Sequence, residues 1–188
     1  MLNEQQGKIL IRLARQTIED QLGLKPSAPV SPELLADPAL QAQQAVFVTL
    51  HKRGQLRGCI GSLTASESII AGVRRHAANA AFHDPRFPPV TGDEVRDLTV
   101  DISVLTEPEP LEYADSADLV GKLRPGIDGV ILRDSAWASA TFLPQVWDQL
   151  PAAEPFLGHL CRKAGLPENA WQQRRMAIQT YQVQYFKE

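Results

Sequence analysis

Residues 45 to 63 read AVFVTLHKRGQLRGCIGSL. Ala45 to Leu50 have strand composition, Lys52, Arg53 and Gly54 supply turn residues, and a second strand begins at Leu56. A β-hairpin is predicted. Downstream, Thr64 and Glu67 fit a capping box, and Ile69, Ile70, Val73, Ala77, Ala80 and Ala81 form a helical stripe of mostly small residues suited to close packing on a sheet. The prolines of DPRFPP, Asp84 to Pro89, end that helix. Val100, Ile102 and Val104 then alternate with Asp101 and Ser103, the period of a half-buried strand.

The same reading extends to both ends. Leu10, Leu13, Ala14, Ile18 and Leu22 recur at helical spacing before Gly23 and Pro26, and the proline-rich residues 25 to 44 read as an extended connection. An acidic stretch from Glu107 leads to a short helix near residues 116 to 123, and GVILRDSAWASATFLP reads as two strands around Asp134 and Ser135. Pro144 opens a helix containing Val146 and Trp147, and a further helix carries Phe156, Leu157, Leu160, Cys161 and Ala164 on one face. Tyr181, Val183 and Tyr185 alternate with Gln182 and Gln184 as one terminal strand. Intermixed helices and strands with short turns predict an α+β fold with a mainly antiparallel or mixed sheet flanked by helices. Its main sheet is expected from strands near 45 to 50, 56 to 60, 99 to 106 and 176 to 186, with the helix after Thr64 laid on it.

The chain's 188 residues fit one domain, 1 to 188, and 44% hydrophobic with 22% charged residues is ordinary globular composition. With 19 Lys and Arg against 22 Asp and Glu and no basic run, no nucleic-acid partner is expected. No apolar stretch is long enough for a signal core or a membrane span, so a soluble, cytoplasmic protein is expected. Cys59 and Cys161 make neither a disulfide framework nor a zinc knuckle, and the histidines form no H-x-x-x-H or H-E-x-x-H motif. G-x-G-x-x-G, Walker A, G-x-S-x-G and EF-hand patterns do not occur. No metal and no cofactor are expected.

The segment LRGCIGS, Leu56 to Ser62, places two glycines around a cysteine where a strand gives way to a helix. Free N–H groups and the helix dipole near Gly61 and Ser62, with the charge of Arg57, suit a small anionic ligand and favour a Cys59 thiolate. The alternative is that Gly58 and Gly61 make a tight turn and Cys59 is a small buried apolar residue. Cys161 lies on an apolar helical stripe and is assigned to the core. Either His83, beside Asp84, or His51 can serve as a base for Cys59. Asp84 can also accept N–H bonds around its turn, the Arg86 fork suits an anion, and Thr141 can line a cleft.

LRGCIGSL (56 to 63), AAFHDPRFPPV (80 to 90), ISVLTEPEPL (102 to 111), LRPGIDGVIL (123 to 132), ATFLPQVW (140 to 147) and FLGHLCRKAGL (156 to 166) occur in this order. Together they resemble the AMMECR domain family, and within it the bacterial branch called AmmeMemoRadiSam system protein A. The resemblance implies a larger lobe with the main sheet and helices, a smaller lobe with a short sheet, and a cleft between them. The family motif maps onto Arg57, Gly58, Cys59, Ile60 and Gly61, then Asp84, Arg86, Phe87 and Pro89, then Thr141, Phe142, Pro144 and Trp147. Ser62 and Leu63 stand where Thr-Phe is common, which keeps a hydroxyl and removes an aromatic ring. Association of prokaryotic members with Memo-like and radical-SAM proteins implies a shared pathway or complex.

Two functions follow as expectations. One is an enzyme acting on a small anionic substrate through Cys59, with Asp84 as orienting or general-base residue and Arg57 and Arg86 as anion clamps, beside Gly58, Gly61, Ser62 and Thr141. The other is a noncatalytic interaction partner or scaffold whose motif surface receives another protein.

Overall fold

The computed structural model describes residues 1–135 and 137–188. Its contacts divide into two compact units, Met1–Leu105 with Gln184–Glu188, and Thr106–Val183. The architecture is α+β, with antiparallel sheets flanked by helices.

In the first unit α1 (Glu4–Gln21) starts at a capping box. Asn3 Oδ1 accepts the Gln6 N–H at 2.9 Å and Gln6 Oε1 accepts the Asn3 N–H at 2.8 Å, which satisfies donors that the first turn leaves unpaired. Its inward face is the predicted one, with Leu10, Leu13, Ala14 and Ile18 buried. The proline-rich connection contains two single-turn helices, α2 (Pro32–Leu35) and α3 (Pro38–Gln41), each opening on a proline whose fixed φ suits that position.

The hairpin is β1 (Val46–Lys52) and β2 (Gln55–Gly61), joined through Arg53 and Gly54 at φ +51° and +79°. Two left-handed residues match the right-handed twist of the strands, and Arg53 is held by Asp97 through bonds of 3.1 and 2.7 Å. With β3 (Leu98–Leu105) and β8 (Val183–Lys187) they form a sheet in the order β2-β1-β3-β8. Val46, Val48 and Leu50 alternate inward, as do Val100, Ile102 and Val104, and they share one core with α1 and α4 (Ile69–Phe82).

Two boundaries differ from expectation. The helix starts at Ile69, not after Thr64. Ser62 Oγ takes the Thr64 N–H in a local turn, Glu67 is captured by Arg75, and Ser68 Oγ caps α4 by accepting the Ala71 N–H at 3.3 Å. The single terminal strand is two strands in two sheets, β7 (Ala177–Tyr181) and β8, parted at Gln182, whose N–H goes to Thr106 Oγ1 and whose carbonyl accepts the Thr106 N–H, both at 2.9 Å.

The second unit has the sheet order β4-β7-β5-β6, with β4 (Glu109–Pro110), β5 (Gly129–Arg133) and β6 (Ser139–Phe142), all pairs antiparallel. The predicted hairpin of β5 and β6 forms, and of its turn only Ala136 lies outside the described residues. The short helix predicted near 116 to 123 is α5 (Ser116–Lys122). Val130, Leu132 and Ile178 pack on α6 (Ala153–Lys163) through Phe156, Leu157, Leu160 and Cys161, and α7 (Ala170–Gln173) adds Trp171. Trp147, on a 3-10 turn rather than an α-helix, stacks on Phe156 at 3.7 Å between ring centroids and donates Nε1–H to the Asp128 carbonyl at 2.7 Å. Among the described residues no helix is long and apolar enough to cross a membrane.

Candidate functional site

The geometry of LRGCIG follows from β2 being an edge strand. A Cβ on Gly58 would lie 2.1 Å from the Ala80 carbonyl oxygen, so only glycine lets the strand approach the last turns of α4 this closely. A Cβ on Gly61 would lie 2.1 Å from the Phe47 ring. Just before Gly58 the register shifts: Leu50 opposes Gly58 and His51 opposes Leu56, which leaves Arg57 unmatched in a bulge. Bulges re-aim side chains. Here the buried Arg57 guanidinium meets Glu94 at 3.2 and 3.0 Å and lies 5.9 Å from the Phe87 ring centre. Lys52 joins the same carboxylate at 2.8 Å. Hydrogen bonds from Arg57 and then Lys52 pull the Glu94 carboxyl down to about 2.

DPRFPP supplies what a neighbouring strand would. Asp84, 3% exposed, accepts the Cys59 N–H at 2.9 Å, and Arg86 Nη2 donates to the Cys59 carbonyl at 3.2 Å. The outward backbone groups of Cys59 are thereby paired, which closes this part of the sheet edge. Arg86 in turn binds Asp84 through Nε at 2.9 Å, Nη2 at 2.6 Å and its own N–H at 3.1 Å. These bonds, led by the Arg86 side chain, hold the Asp84 carboxyl far below the usual carboxylate range.

The thiol of Cys59 lies on the other side of the strand from the helix layer. Gly58 faces α4, so alternation turns Cys59 to the opposite face, where Sγ is 3.1 Å from Thr49 Oγ1 and the residue is half-buried. Thr49 opposes Cys59 on one side and Asp101 on the other, and His51 Nδ1 lies 3.6 Å from Asp101 Oδ2. His83 is exposed at the end of α4. Cys161 is fully buried, and burial pushes its thiol up.

The structure therefore brings Arg57, Gly58, Cys59, Gly61, Asp84 and Arg86 together as two adjoining segments of the first unit. The helix N-terminus expected behind Gly61 and Ser62 is not there. Ser62 donates its N–H to the Val46 carbonyl at 3.1 Å, and the first N–H of α4, from Ile69, goes to the Ala42 carbonyl at 2.9 Å. Thr141 belongs to the second unit, where its hydroxyl donates to the Val130 carbonyl at 2.9 Å and meets the Tyr181 hydroxyl at 3.0 Å. Sequence reasoning missed Thr49, Asp101 and Glu94. The strand alternation of β1 and β3 held a signal for the first two, and Glu94 had none, because its partners are set by the bulge. Two depressions of about 600 and 520 Å³ lie elsewhere, one lined by Glu19, Lys25 and Gly92, the other by Tyr113, Arg133 and Met176. Neither includes a thiol, and the motif chemistry is the stronger guide to a site. Among the described residues no three His, Cys, Asp or Glu side chains gather as metal ligands would.

These features define an α+β protein of two antiparallel sheets in which LRGCIG and DPRFPP are bonded to each other at the edge of the first sheet. A family model described as AMMECR1 matches residues 11–186, and the chain belongs to that family. A protein of Methanothermobacter thermautotrophicus is 40% identical over 192 residues, covering all of this chain and 96% of that one. A protein of Thermofilum pendens is 35% identical, covering all of this chain and 92% of that protein. The crystal structure of an uncharacterised protein from Pyrococcus horikoshii, 34% identical, superimposes with a TM-score of 0.85 over 100% of this chain and 93% of that one.

Proposed function

We propose that the protein is a thiol-dependent enzyme whose reacting atom is Sγ of Cys59. The observation that supports this reading is a division of labour within the motif. Gly58 and Gly61 serve close packing, Asp84 and Arg86 fix the Cys59 backbone at both its N–H and its carbonyl, and the side chain so held is outside the core. A nucleophile benefits from such a rigid supporting shell. Asp84 then orients rather than accepts a proton, since a carboxyl with so depressed a proton affinity is a poor base. Arg57 and Arg86 are each bound to a carboxylate, Glu94 and Asp84, but the Arg57 side chain is buried and that of Arg86 is 53% exposed, so the anionic group of a small substrate would meet the outer edge of the Arg86–Asp84 pair. The test is to incubate the native protein with small-metabolite fractions and read its intact mass. A substrate-derived adduct on the wild type that is absent from Cys59→Ser and retained by Cys161→Ser is the expected result. Adducts that persist in Cys59→Ser overturn the reading.

A second reading, a noncatalytic partner of Memo-like and radical-SAM proteins, is favoured by one observation. Trp137, in the β5–β6 turn, is 97% exposed, and a large aromatic displayed to solvent suits a partner's pocket. Trp137→Ala is expected to weaken binding to such a partner in calorimetry while leaving Cys59 reactivity unchanged.

A further inference from the structure

We propose that Thr49 is the positioning residue of the Cys59 thiol, its hydroxyl donating to the thiolate in the reactive state. This rests on the thiol reading above and adds a residue from a different strand. Thr49 is on β1, which is paired on both sides, to β2 and to β3, so its backbone is more constrained than that of an edge residue. Its Cα is in register with that of Cys59, and its Oγ1 is 3.1 Å from Sγ. As a neutral thiol, Cys59 can donate to this oxygen. Once the thiol proton has left to solvent, the same hydroxyl rotates its hydrogen toward sulfur and donates to the anion, a charge-assisted bond stronger than the one it replaces.

The next residue in the row beyond Thr49 is Asp101, whose carboxylate has the His51 ring beside it at 3.6 Å. On the side of β2 away from β1, the Arg86 guanidinium is bound to the Cys59 carbonyl, so the residue is held from both sides. Thr49 stands between Asp101 and Cys59 in this row, with its hydroxyl oxygen 3.1 Å from the sulfur. Its β-branched side chain has few rotamers, so little freedom is lost in holding this geometry.

The experiment measures carbamidomethylation of Cys59 by iodoacetamide in the native full-length protein, read by intact mass and peptide mapping. In this step the thiolate forms an S–C bond and iodide leaves. Thr49→Val keeps the shape and removes the hydroxyl, and the rate at Cys59 is expected to fall about tenfold, the scale of one hydrogen bond to a charged group. Thr49→Ser restores the donor and is expected to recover most of the rate. Melting temperatures measured alongside separate this from loss of fold, since a packing role would be served by Val and not by Ser. Equal rates in wild type and Thr49→Val overturn the inference and leave the thiol reading standing. A wild-type Cys59 that reacts no faster than the urea-unfolded chain overturns both.

Discussion

Oδ2 of Asp84 accepts the backbone N–H of Cys59 at 2.9 Å, and through this bond the two most distinctive segments of the chain become one structural unit. The Asp84 side chain is 1% exposed, and Arg86 offsets its burial by binding both carboxylate oxygens. Asp84→Asn removes the charge and turns an amide donor toward either Arg86 or the Cys59 N–H. A loss on the order of 3 kcal/mol in urea unfolding is expected, at the lower end for a broken buried pair because Arg86 is half exposed. An unchanged midpoint would show that the pair does not secure the strand edge.

Gly58→Ala tests the close approach of β2 to α4. The new Cβ meets a backbone oxygen, which moves only if the helix end moves with it. A destabilisation of about 3 kcal/mol is expected, whereas Gly61→Ala meets the Phe47 side chain, which can turn, and should be milder. Denaturant midpoints of the two variants measured together check the order, and a milder effect at Gly58 would contradict it.

Acid should weaken the first unit through Glu94. Its folded-state value, about 2, lies below the ordinary carboxylate value, so its contribution is fully present above about pH 4.5 and is lost as pH falls from there through 2. Asp84, depressed in the same direction, adds to the same slope. Glu94→Gln is expected to lower stability by on the order of 2 kcal/mol at pH 7, with the gap to wild type closing toward pH 2. A gap that stays constant across that range would mean that the Arg57 and Lys52 pairing contributes nothing.

Tyr113→Phe addresses the second unit. The Tyr113 hydroxyl donates to the Met176 carbonyl and accepts the Met176 N–H, both at 2.8 Å and both buried. Removing it leaves two backbone groups without partners, for an expected loss of about 2 kcal/mol. Calorimetric melting checks this, and a variant as stable as wild type would require another partner for Met176.

By itself the sequence determined the α+β class, the β1–β2 and β5–β6 hairpins, the inward faces of α1 and α6, and the place of Cys161 in the core. Each rests on a period of two or of 3.6 residues, or on a turn residue, and these are local steric facts legible within a short window. Tertiary structure alone decided the start of α4, the division of residues 177 to 187 between two sheets, and the bulge that turns Arg57 to Glu94. It also decided that Cys59 answers to Thr49 on one side and to Asp84 and Arg86 on the other. Those outcomes depend on partners distant along the chain. The Thr64 and Glu67 capping box is sound local chemistry, yet Arg75 competes for Glu67 and Ser68 offers a later cap. The alternation through Tyr181, Val183 and Tyr185 is equally regular, and Thr106 still divides it by bonding Gln182. A pattern of side chains states which faces are apolar, and only the folded chain states which backbone or carboxylate each face will meet.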